Sequence, residues 1–326
     1  MSTNSSASAL QAESPKVDFK KFFMKYAIYF ILLALVIVLS LATNKFFTPS
    51  NLISILKQIS IQSIVAIGMT MIVLLGQIDL SVGAVVAFSG IISAMLMKGG
   101  MPIALAIIVS TLLSCVIGLL SGFVTAKYKV HAFLVTLATQ TAVRGLDYII
   151  SGGYPVSSLP NSFMKIGGGY LGPIPVPVII MIVFYAIFIF ILNCTCFGRS
   201  IYAVGGNAES ARLSGINVEK IKIMVFVVTA ALASVGGVIL SSRLMSGAPD
   251  TGSGWEMDCI TGVIIGGTNM FGGEGTLQGT LVGMLFVGVL SNGMVLLGIN
   301  PYMQQVIKGL VILAAVIMNS FKRKDA

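Results

Sequence analysis

Apolar residues run in long stretches separated by short polar turns through almost the whole chain. The first stretch extends from Ala27 to Thr43, and others fall near 59–75, 79–97, 101–125, 131–151, 174–193, 221–243, 258–271, 277–297 and 302–320. Apolar runs of about 17 residues or more are long enough to cross a bilayer as helices. The pattern therefore predicts an all-α, polytopic transmembrane helix bundle of about ten spans. Two places depart from it: the eighth run is short and contains Gly262, Gly266 and Gly267, and the turn at 76–83 is glycine-bearing. Segments 76–83 and 262–276 are the candidates for broken or re-entrant helices, which membranes tolerate where the freed backbone groups find partners inside the protein.

Composition agrees with the pattern. Hydrophobic residues make up 56% of the 326 and charged residues 10%, with a mean hydropathy of +0.98, against about 25% charged in a soluble domain. An ordinary water-soluble enzyme is excluded. The net charge of +9 would suggest nucleic acid in a soluble protein, but basic residues in short loops also record membrane orientation. With ten spans and both termini inside, 13 Lys and Arg fall inside, 5 outside (Lys45, Lys57, Lys98, Lys165, Arg243) and 2 within spans (Arg144, Lys308). That split predicts a multi-pass protein of the cytoplasmic membrane with cytoplasmic termini, and it removes any need for a nucleic-acid partner. Residues 1–26 then form a cytoplasmic tail, disordered over 1–15, and 27–321 the transmembrane domain, with 322–326 as a second tail. The lone His131 and the scattered Cys115, Cys194, Cys196 and Cys259 do not supply the clustered ligands that zinc requires, so no metal site is expected.

One connection is unusually long and polar, 194–220. Gly205 and Gly206 punctuate it, Asn207 suits a helix N-cap, Glu209 lies in the first turn, and Gly215 follows Leu213 and Ser214 as a stop. The residues alone are compatible with a docking helix of about two turns and equally with a bare linker. A second regularity joins the halves of the chain. The GQIDLSVG turn at 76–83 and the GGEGTLQG turn at 272–279 each carry an acid and open a new helix on the same side, which hints at a duplicated unit of parallel sense.

Charged side chains inside spans are costly and face a partner, a bundle interior or a water-filled path. In the fifth run Gln140, Arg144, Asp147 and Tyr148 recur at helical spacing. Arg144 with Asp147 or Tyr148 reads as a structural pair, on a face that also suits a path. Asp79, with Ser81 two positions on, reads as a cap for the third helix. Gln304 and Lys308 share a face of the tenth span, and Asn292 beside Ser291 reads as interhelical glue. Nothing here makes a nucleophile, base and orienting-acid set, which sets aside a membrane-embedded enzyme.

Together, NKFFTPSNLISIL at 44–56, GMTMIVLLGQIDLSVGAVVA at 68–87, FGRSIYAVGGNAESARLSGINVEKIKI at 197–223, GVIIGGTNMFGGEGTLQGTLVG at 262–283 and the LLGINPYMQ region at 296–304 resemble the permease subunits of bacterial ABC importers for monosaccharides. The likeness is to the ribose-type group, which includes ribose, xylose, arabinose, galactose and autoinducer-2 permeases, and it runs over most of the chain. Gln77 and Glu274 depart from residues common at those positions. The resemblance implies that 199–217 is the coupling helix, carried by Gly205, Gly206, Asn207, Glu209, Arg212, Leu213 and Gly215, that rests on a cytoplasmic ABC ATPase. It also implies a second permease copy or relative, and a periplasmic or lipid-anchored sugar-binding protein. ATP and Mg would be bound by the ATPase, since this chain lacks the G-x-x-x-x-G-K-[ST] run that cradles phosphates, and no cofactor is expected here. Ribose is the sugar the resemblance implies. The competing reading is an ATP-independent channel or secondary transporter using Arg144, Asp147 and Lys308 as ion sites.

Overall fold

A computed structural model describes the backbone of residues 19–322 and the side-chain surroundings of 28–317. The disordered tail expected over 1–15 lies outside the described residues. Every one of the ten apolar runs carries a helix. In chain order these begin with α1 (Phe19–Ala42), α2 (Pro49–Leu74), α3 (Val82–Lys98), α4 (Ile103–Lys127) and α5 (Ala132–Ser151). A 3-10 turn at Asn161–Phe163, the single-turn α6 (Met164–Gly167) and a two-strand ribbon, β1 (Tyr170–Leu171) with β2 (Ile174–Pro175), lead to α7 (Val176–Cys194). Then come α8 (Cys196–Gly206), α9 (Ala208–Leu213), α10 (Val218–Leu244), α11 (Trp255–Ile265), α12 (Leu277–Leu296) and α13 (Pro301–Lys322).

Helix starts follow local chemistry. Pro49 occupies the first turn of α2, Pro102 and Pro175 directly precede α4 and α7, and Pro301 opens α13; proline's missing N–H costs nothing at that position. Gly152, at φ +66°, terminates α5 in the left-handed conformation. Two expected boundaries shift. The polar residues Ser50, Asn51 and Ser54 belong to α2, which therefore starts at Pro49 rather than near 59. α1 reaches back to Phe19, into the segment read as tail.

The eighth run differs more. α11 ends at Ile265, and 266–276 is a glycine-rich loop. At 11 residues, α11 is about 16 Å long, half of a hydrocarbon core of about 30 Å. α3 is also incomplete at one end. After α2 the chain runs without helical hydrogen bonding through 77–80, and Asp79, Leu80 and Ser81 are buried. Both predicted breaks are therefore present.

α2 and α10 form the centre. Of the most apolar window of α2, 67% is buried, compared with 22% for α4 and 17% for α7, so α4 and α7 present leucine-, isoleucine- and phenylalanine-rich faces outward, Leu112, Leu120 and Phe190 among them. Inside lipid the hydrophobic effect does not draw helices together, and close packing and hydrogen bonds must do it. Small residues allow that approach: a Cβ on Gly237 would overlap the Val86 carbonyl oxygen, and one on Gly118 would lie 2.6 Å from the Phe226 carbonyl. Hydroxyl contacts add specificity, with Thr70 and Thr280 at 2.8 Å, Thr111 and Ser234 at 3.0 Å, and Thr229 donating to the Gly68 carbonyl at 3.2 Å.

Candidate functional site: a docking end and a polar membrane centre

At one end of the bundle the long connection folds into two helices rather than the single short one expected. α8 was not foreseen, because Gly198, Gly205 and Gly206 lower helix propensity. Their presence has a packing cause. A Cβ on Gly205 would overlap the Leu74 carbonyl oxygen and lie 2.8 Å from the Gly273 nitrogen. Gly205 and Gly206 thus form the last turn of α8, where the helix stops as their reading as punctuation implied, and seat it on the α2 terminus and the 272–273 loop.

α9 is capped as its residues predict. Asn207 Oδ1 accepts from the Ser210 N–H at 2.9 Å, Glu209 pairs with Arg212 at 2.6 Å, and Gly215 adopts φ +85° just beyond the helix. The Arg212 guanidinium holds the Glu209 carboxyl below its ordinary value, and the same contact raises Arg212. Glu209, Arg212 and Leu213 are exposed, Leu213 at 75%, while Ala211 is buried against the body. The outer face of α9 thus carries an ion pair and an exposed leucine. A 650 Å³ cleft lies beside it, lined by Gln77, Lys129, His131, Arg212, Glu219 and Lys222 among others.

The same end joins the two glycine turns. A Cβ on Gly76 would sit 2.8 Å from the Phe271 carbonyl oxygen; the Gly273 N–H donates to Leu74 O at 2.9 Å, and Tyr202 of α8 donates to Gly275 O at 2.9 Å. α8, the end of α2 and the loop that follows α11 therefore form one contact.

The second assembly lies deep in the bundle, where α3 and α11 begin. Asp79 Oδ1 accepts from the Ser81 backbone N–H at 2.8 Å and from its hydroxyl at 2.6 Å, and Leu80 N–H donates to Thr136 of α5 at 3.1 Å. Asp79 thus closes a turn with Ser81 just ahead of α3; Ser81 is the N-cap residue and no side chain caps the helix, so the capping role expected of Asp79 is not the arrangement found. Glu256, in the first turn of α11, abuts Gly83 of α3 so closely that any Cβ there would collide with its carboxylate. The carboxylate consequently lies by the N-termini of both helices, where a negative charge is favoured. Gln140 of α5 donates to it at 3.1 Å.

Arg144 acts one turn further along α5. Its Nη1 donates to the carbonyls of Pro249 at 2.6 Å and Thr251 at 3.0 Å, and it stands 4.0 Å from the fully buried Asp147. The expected pairing with Asp147 is thus at the limit of an ion pair, and the loop carbonyls are the closer partners. Tyr148 turns away and is 47% exposed. On the other flank of α11, Lys308 of α13 grips both oxygens of Asp258 at 2.9 and 3.0 Å, with Gln62 of α2 at 3.4 Å. Asn292 is separate: it exchanges hydrogen bonds with Asn51 of α2 at 2.8 and 3.1 Å and joins α12 to α2, the role its residue type implied.

The structure therefore places Gln140 and Lys308 on α11, Arg144 on the loop that precedes it and Asp79 at the neighbouring helix start, and leaves Asn292 elsewhere. Sequence reasoning missed Glu256, Asp258 and Gln62. The signal available was two acids within three residues at the edge of an apolar run.

The described residues form a bundle of apolar helices with the α8–α9 pair at one end and a polar, partly unwound centre, the form of a multi-pass membrane protein. Residues 51–316 match the family described as branched-chain amino acid transport system / permease component, and the chain belongs to that family. Ribose import permease protein RbsC of Haemophilus influenzae is 40% identical over 316 residues, which cover 96% of this chain and 98% of the relative. RbsC of Bacillus subtilis is 39% identical over 315 residues, with the same coverage. The L-arabinose transport system permease protein AraH of Escherichia coli is 36% identical over 322 residues, or 98% of each chain. No solved structure matches the chain.

Proposed function

We propose that this protein is the membrane-spanning permease subunit of an ATP-driven ABC importer, carrying a ribose-type monosaccharide delivered by a substrate-binding protein. The observation that carries this reading is end-to-end similarity to ribose permeases, at 40% identity over 96% of the chain. The docking end adds a physical reason: the exposed α9, buttressed through α8 and the 272–275 loop, suits the groove of a cytoplasmic ABC ATPase that binds ATP and Mg. A second permease copy completes the path, and the uneven basic loops support cytoplasmic termini.

The ion-driven alternative gains nothing from Lys308 or Arg144, because the first is tied to Asp258 and the second to loop carbonyls. Co-expression with an ABC ATPase and a sugar-binding protein from the same organism, followed by radiolabelled ribose uptake into vesicles, tests the assignment. Uptake should require all three components, with arabinose and xylose as competitors that rank the sugars. Accumulation that persists without the ATPase refutes it.

A further inference from the structure

After α10 the chain does not leave the bundle. Leu244 ends the helix and Met245 turns at φ +52°. Gly247 then packs on Gly90 and exchanges backbone hydrogen bonds with Val156 at 2.8 and 3.0 Å. Gly252 reaches Gly83 and Val86, and Val86 is also the neighbour of Gly237. Gly237 precedes Leu244 by two helical turns, so the loop has come back by about 10 Å along α10 before α11 begins.

Irregular backbone at membrane depth persists only when it is buried in protein or borders water. One side of this segment is buried: Gly247, Ala248, Pro249, Gly252 and Glu256. The other side is not. Asp250, Ser253 and Gly254 are exposed, and beside Gly254 there is open space. The Asp250 carboxylate has no hydrogen-bond or ion-pair partner among the described residues. Acyl chains cannot solvate such a group. The same face of a two-fold-related copy, packed directly against it, would meet it with a second unpaired carboxylate.

We propose that the exposed face of 250–254 is a wall of the aqueous sugar path, with Asp250 and Ser253 contacting the sugar hydroxyls. This deepens the functional reading above and rests on it. The carboxylate accepts hydrogen bonds from hydroxyl groups. The Ser253 hydroxyl donates to the Asp250 carbonyl at 2.7 Å, which leaves its oxygen free to accept. Arg144, by gripping Pro249 and Thr251 on either side of Asp250, sets the loop at this depth.

The test uses the assembled transporter in membrane vesicles, with its four cysteines replaced and a single one restored by Ser253→Cys or, as a lipid-facing control on α4, by Leu120→Cys. A charged, membrane-impermeant thiosulfonate should modify Ser253→Cys at least about tenfold faster than the control, because thiolate chemistry needs water. Asp250→Asn should raise the KM for sugar by about tenfold, a loss of roughly 1.4 kcal/mol of binding, with the melting temperature unchanged. No modification of Ser253→Cys, at rest or during ATP turnover, overturns the proposal and assigns the face to a copy interface. Unchanged KM in Asp250→Asn overturns the sugar contact. Labelling is read without sugar, and KM with whichever sugar the transporter accepts, so a failed ribose assignment is distinguishable from a dry wall.

Discussion

Removing the Arg144 side chain should destabilise the permease before it alters sugar handling. Arg144→Ala deletes the two hydrogen bonds from one charged nitrogen to the Pro249 and Thr251 carbonyls, at 2.6 and 3.0 Å. Charge-assisted bonds are worth about 1.5–3 kcal/mol each, and because these share a nitrogen we take about 3 kcal/mol for the two. The insertion penalty of an arginine at membrane depth, about 2.5–3.5 kcal/mol, is met during insertion and does not enter detergent unfolding. At roughly 2 °C per kcal/mol for a large chain, the melting temperature should fall by about 6 °C. Arg144→Lys, which keeps the charge but offers a different donor geometry, should recover part of the loss. Asp147→Ala should cost less than Arg144→Ala, since Asp147 accepts no hydrogen bond and its arginine is 4.0 Å away. The double variant should cost less than the sum of the singles, because the two losses share one contact. Thermal unfolding of purified variants, read beside uptake in vesicles, is the measurement. An Arg144→Ala protein that melts within 1 °C or so of the wild type, associates with its ATPase and yet fails to transport would refute the structural role.

Gly205→Ala forces α8 away from the Leu74 carbonyl, so ATPase association and coupled uptake should both fall, with an overpacking cost of about 1–3 kcal/mol; full coupling in this variant would show that α8 is not held by that contact. Lys308→Ala leaves Asp258 without its cation and should cost about 3–5 kcal/mol, whereas Lys308→Met with Asp258→Leu should restore much of it; thermal stability of the three proteins checks this. Because Arg212 depresses Glu209, the pair is intact above the ordinary glutamate range and breaks only as pH falls through the lower folded value. ATPase association should therefore stay flat between about pH 6 and 8, and a step within that window would remove Glu209 from the interface.

The capped helix α9 was largely readable from residues. Asn207, Glu209, Arg212 and Gly215 act through neighbours within three or four positions, and such contacts follow from local spacing. α8 was not readable, since its glycines argue against a helix until Leu74 and Gly273 are placed beside them. The membrane centre shows the same division. The turn that Asp79 closes with Ser81 is local, but the partners of Glu256 and Asp258 lie on α5, α13 and α2, separated by 116, 50 and 196 positions.

The sequence by itself determined the class of fold, because a bilayer leaves an apolar run little choice: its backbone must satisfy itself as helix. It also determined where the helices break, since glycine turns act within a few residues. Only the tertiary structure decided that the 245–254 loop folds back into the bundle, and that Arg144 holds this loop rather than a carboxylate of its own helix. Those outcomes depend on long-range packing and hydrogen bonds between segments remote in the chain, to which no local periodicity responds.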